Sequence, residues 1–225
     1  MSTPAASHRP EAGVRPASLV LLAGLVGLGM FQIASFVYFL NESRDFLLAQ
    51  AETSTAAGDI AIPGAVSLGP DGCFPCLRSG WGSGGFGVMS QRENAVLALR
   101  LPAAARTDGR DLVVALDAAA FAPPALGRRL LRVAANGTPV AEVEFPSGDS
   151  RTERFLQNGE SVLHRVVVPH ALVVQSPILL LTLQMAVASP RQLGLGPDPR
   201  PMGIAVRSVG LTFADGGGAA APAPR

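Results

Sequence analysis

The chain has 225 residues with 18 basic against 17 acidic side chains, a net charge of +1, so it lacks the field that would recruit nucleic acid or an acidic polymer. Aromatic residues make up 5% and charged residues 16%, leaving few stacking platforms for bases and less charge than ordinary soluble domains carry. Two cysteines and 48% hydrophobic residues exclude a disulfide-dense mini-protein and a wholly disordered chain. Every basic residue is Arg and none is Lys; with the richness in Ala, this fits a GC-rich bacterial genome.

Residues 1–16 read as a polar N-terminal tail containing Arg9 and Arg15. Ala17 to Leu40 holds no charged residue. As a helix at ~1.5 Å per residue it reaches roughly 36 Å, enough to cross a ~30 Å hydrocarbon core. Tyr38 stands where an interfacial aromatic belt would be, and Glu42 and Asp45 follow with Arg44. The Arg bias places the N-terminus in the cytoplasm and the bulk of the chain in the periplasm, with a single-pass anchor in the bacterial inner membrane. A cleaved signal peptide is the competing reading, but its apolar core is shorter, ~7–15 residues, and ends in small residues. Ala23 and Gly27, with Gly24 beside them, have the spacing that lets a second helix approach closely in the bilayer.

Residues 41–87 read as a stalk followed by a lead-in rich in Gly, Pro and Ser. Residues 88–213 show short apolar runs of period two, bounded by turn signals. Leu97, Leu99 and Leu101 share a face, as do Leu112, Val114 and Leu116, and again Leu179, Leu181, Leu183 and Met185. Asn136-Gly137 marks a type I′ hairpin between Leu130–Ala135 and Val140–Phe145. Leu163–Val168 and Ile204–Phe213 add two more runs. The fold class expected is all-β, an antiparallel, jelly-roll-like β-sandwich preceded by one transmembrane α-helix. Residues 214–225, mostly Ala, Gly and Pro, read as a disordered tail.

Three stretches carry a resemblance. They are Gly80-Trp81 with Phe86–Ser90 and Ala95–Pro102, then Leu131–Gly137 with Val140-Ala141, then Ala188-Ser189-Pro190 through Leu193-Gly194, Asp198, Arg200, Gly203 and Arg207-Ser208-Val209. Together they resemble a jelly-roll-like β-sandwich module found at the extracytoplasmic end of bacterial membrane glycosyltransferases and phosphoglycerol-transferase-like envelope proteins. Such proteins usually carry a multi-span or catalytic portion on the same chain, and this sequence has none. The resemblance therefore implies a non-catalytic accessory or binding module in surface-polysaccharide synthesis, modification or export. Its partner would be a membrane glycosyltransferase or polysaccharide exporter, with contact to a glycan and to the lipid bilayer, and none to nucleic acid.

Candidate chemistry is sparse. Cys73-Phe74-Pro75-Cys76 fits a local disulfide better than a redox pair, because the Gly-rich segment that follows is a poor helix. With two cysteines in all, a four-ligand zinc site is not supplied. His164 and His170 lie too far apart along one strand, roughly 20 Å at ~3.3 Å per residue, for a shared metal or dyad. No cofactor or metal is expected. Glu142 and Glu144 read as the solvated face of a hairpin, whereas Glu93, Asp108, Asp111 and Asp117 fall in or beside turns. Trp81, the sole Trp, and Asp198, Arg200 and Arg207 are the candidate glycan-binding residues, with edge packing and loop-tying as their structural alternatives. Two other readings stay open: a periplasmic glycan hydrolase or esterase with His164 or His170 beside a Ser and a carboxylate, and a purely structural subunit of an envelope complex.

Overall fold

A computed structural model describes residues 26–34, 57–149 and 151–215. Residues 26–34 form a helix, α1, whose apolar side chains Val26, Leu28, Met30, Phe31 and Ile33 are exposed. No helix among the described residues is long and apolar enough to cross a membrane. The span expected over 17–40 is thus not found there; most of it, with Ala23 and Gly24, lies outside the described residues. So do the stalk up to residue 56 and the tail from residue 216. Gly27 is on α1, with open space around its Cα.

The remaining residues fold mostly as β-structure in two sheets. In chain order the strands are β1 (Gly58–Asp59), β2 (Gly64–Ser67), β3 (Leu77–Ser79), β4 (Trp81–Ser83), β5 (Val88–Ser90), β6 (Asn94–Arg100), β7 (Leu112–Ala120), β8 (Arg129–Ala135), β9 (Thr138–Phe145), β10 (Val162–Val168), β11 (Ile178–Gln184) and β12 (Ile204–Phe213). Three short helices interrupt them: α2 (Ala103–Thr107), α3 (Arg151–Asn158) and α4 (His170–Val173). The front sheet runs β1-β6-β11-β8-β9, with β3 sharing the outer edge of β6. The back sheet runs β10-β7-β12-β5-β4, with β2 also on β12. Every pairing is antiparallel except the two-residue one between β1 and β6.

The long strands form where the period-two runs demand it. Leu97, Leu99, Leu179, Leu181 and Leu183 of the front sheet face Leu112, Val114, Leu116, Val209 and Leu211 of the back sheet, all fully buried. Each such side chain removed from water contributes about 1.5–3 kcal/mol. The hairpin at Asn136-Gly137 has φ of 48° and 82°, the left-handed pair that a type I′ turn needs. The sandwich starts well before Val88. The Gly- and Pro-rich stretch expected as a lead-in supplies β1 to β4, and Leu68, Leu77 and Trp81 enter the core.

A second, smaller core covers part of the back sheet's outer face. Phe155 of α3 is fully buried against Ala119 and Ala205, with Met89, Phe121 and Met202 around it. Small residues at Ala119 and Ala205 let the helix lie close to the strands.

Candidate functional site

The four residues singled out for ligand contact do not converge. Trp81 is 5% exposed, and its indole N–H donates to the Val96 carbonyl across the sandwich at 2.8 Å. It ties β4 to β6 and packs in the main core, the edge-packing alternative named for it. Asp198 and Arg200 bind each other. The Arg200 amide donates to Asp198 Oδ1 at 2.9 Å and its guanidinium to Oδ2 at 2.7 Å. That guanidinium holds the Asp198 carboxyl below its usual range. The Arg191 amide donates to the Asp198 carbonyl at 3.0 Å, closing the loop, while Leu193 packs on the second core.

Arg207 sits at a bulge in β12, where the register with β7 shifts between Val206 and Ser208. Its Nε donates to Asp117 Oδ2 at 2.8 Å. Ser161 Oγ donates to the other oxygen of the same carboxylate at 2.5 Å. Asp117 is therefore not a turn residue: it is mid-strand, 8% exposed, and ion-paired. The sequence carried no sign of this, because the partners lie far apart along the chain and meet only across strands.

Neither does a catalytic constellation assemble among the described residues. His164 of β10 pairs with Leu116 of β7 and so faces inward, edge-on to Phe145 with ring centroids 5.0 Å apart. Ser161 and Asp117 meet on the opposite face of the same sheet, since Asp117 neighbours Leu116 and strand side chains alternate. His170 opens α4, and its backbone N–H donates to Asp111 Oδ1 at 2.8 Å. Glu142 and Glu144 line the outside of β9, paired with Arg132 at 3.0 Å and Arg128 at 3.4 Å. No group of three or more metal-ligating side chains comes together among the described residues. Cys73 and Cys76 are joined as a disulfide, with Cα atoms 5.4 Å apart.

Two hollows open on the outer face of the front sheet. The register lines up its outward residues in rows across the strands. Asn94, Gln184, Arg132 and Glu142 form one row, and Val96, Thr182, Ala134 and Pro139 the next. At ~4.8 Å between strands each row spans about 15 Å. A hollow of about 360 Å³ lies where the two rows meet, lined by Arg132, Ala134, Pro139, Glu142, Thr182 and Gln184. A second, of about 390 Å³, opens on the same face over Ala98, Ile178 and Leu180, rimmed by Arg78, Asn136 and Ser176. The Asn136 amide is spent on the backbone: it donates to Leu172 O at 3.0 Å and accepts from Leu180 N at 2.9 Å. It fixes the rim of this hollow.

No protein-family model matches the chain, and no curated protein matches it. Among solved structures it is similar to a carbohydrate-binding module, CBM36, in complex with calcium and xylotriose. The TM-score is 0.29 and the identity 9%, over 56% of this chain and 79% of that one.

Proposed function

We propose that the chain is a non-catalytic binding module of a bacterial cell envelope and that the outer face of its front sheet is the binding surface. The observation that carries this reading is the pair of hollows on one sheet face, floored by small and aliphatic side chains and bordered by amides and an Arg–Glu pair. An extended, hydroxyl-rich chain such as a glycan suits such a surface. Each hydroxyl both donates and accepts, as amide side chains do, and the charges of the Arg132–Glu142 pair already balance. In this reading residues 17–40 anchor the module in the inner membrane and a jelly-roll-like sandwich works in the periplasm. Its partner there is a membrane glycosyltransferase or polysaccharide exporter.

The test has two arms on the full-length protein in mild detergent. Titration with soluble envelope oligosaccharides, read by calorimetry, is expected to show weak binding. Thr182→Arg fills the central row from a half-buried, outward-facing position, so it should abolish that binding while changing the unfolding free energy by no more than about 1 kcal/mol. Binding that survives this substitution moves the site elsewhere. In the second arm, co-purification from the native membrane should bring down a multi-span glycosyltransferase or exporter. A protein that comes down alone defeats the accessory-subunit reading.

A further inference from the structure

The Cys73–Cys76 disulfide lies against the strand by which the chain enters the sandwich. A Cβ built on Gly58, in β1, would collide with the sulfurs of both cysteines. Gly58 is not among the glycines with positive φ, so space alone, not backbone conformation, demands glycine there. The bonded sulfurs thus form the seat on which the β1 backbone rests. Within the sheet β1 is held by little else, and the apolar anchor of its segment is Ile60, buried in the main core. Two residues pair with Leu99 and Arg100 of β6, the Ile60 amide donates to the Arg100 carbonyl at 3.3 Å, and an exposed Asp59–Arg100 pair stands at 3.3 Å.

We propose that this disulfide is a redox-set latch on β1. Oxidised, it seats Gly58 and keeps β1 on β6. Reduced, it releases residues 57–62 while the two-sheet core stays folded. Two sulfurs that are no longer bonded must separate to non-bonded contact, about 3.5–4 Å, and the tight seat beneath Gly58 leaves no room for that. The core stays folded because most of its leucines are carried by β6, β7, β11 and β12, none of which needs β1 to pair.

The reductant is a protein or small-molecule dithiol. Its thiolate attacks the sulfur of Cys73, the half-buried partner, and the Cys76 thiolate leaves and takes up a proton. The second thiol of the reductant resolves the mixed disulfide. Two electrons and two protons pass to the cysteines, and the dithiol becomes a disulfide. One consequence is local. The hollow of about 350 Å³ between Asp59, Ile60, Ala61 and Arg100, Leu101, Pro102 has one wall made by the segment the latch holds, so it exists only in the oxidised state.

Hydrogen exchange read by mass spectrometry on the full-length protein, with and without dithiothreitol, tests this. Reduction is expected to speed exchange in residues 57–62 about tenfold or more while β7, β11 and β12 keep their protection. Gly58→Ala gives a second route: it should release the same residues with the disulfide intact, verified by the lack of alkylatable thiols. The latch is overturned if residues 57–62 stay protected after reduction, if Gly58→Ala leaves them protected, or if all strands lose protection together.

Discussion

His164 shows how one side chain can carry a pH response without being part of a site. Its ring is turned into the sandwich, and its Nε2 is buried with no hydrogen-bond partner. Burial pushes its pKa below the usual histidine value, and the Arg151 guanidinium pushes in the same direction, against a weaker pull from Asp117. The unfolded chain therefore binds a proton that the folded chain resists, and stability falls as the pH drops through the unfolded value, about 6.5. The loss levels off below the depressed folded value. Urea unfolding at pH 7.5 and at pH 5 should show a lower midpoint at the acid end, and His164→Leu should shrink that difference. An unchanged difference in the variant would assign the pH dependence to other groups.

At the scale of elements, the sequence is legible where burial is regular. β8 and β11 bury alternate residues over all seven positions, and β6, β7 and β12 do so over part of their length, where period two shows. β1, β3, β4 and β5 are two or three residues long, too short to show any period, and they are made of Gly, Ser and single apolar residues. α3 was not legible for another reason. Phe155, the one buried anchor among its described side chains, covers the outside of a sheet, not the main core. The partners of the candidate residues were not legible either. Trp81 and Arg207 look free in a Gly-rich loop and an alternating strand, and only the tertiary fold supplies Val96 and Asp117 as their partners. The front-sheet hollows depend on cross-strand register, which no local pattern contains. If α3 is pinned by Phe155, then Phe155→Ala should cost about 3–5 kcal/mol and free the helix. In a chain that still folds, exchange protection should be lost over Arg151–Asn158 and kept in β7. A cost below about 1 kcal/mol would mean that the second core does not hold the helix.

At the scale of the molecule, the disulfide and the N-terminal apolar segment both bear on the proposed envelope location. Disulfides persist outside the reducing cytosol and rarely within it. In the envelope reading proposed above, the Arg bias before residue 17 would send the sandwich to the same side. Closing a loop of so few residues adds only about 2 kcal/mol by the chain-entropy account. The two-sheet core therefore folds with or without the bond, and the resting redox state of the cysteines reports the compartment, not whether that core is folded. Cells of the native host, quenched in acid and then treated with a mass-tagged maleimide under denaturing conditions, should yield the full-length chain without added tags. Prior reduction should add two tags, one for each cysteine. Two tags without reduction would place the sandwich in the cytosol, and the envelope function proposed for the front sheet would then have to be abandoned. The latch at Gly58 adds one expectation: a dithiol supplied to the native protein should convert untagged chains to doubly tagged ones while the two-sheet core stays folded.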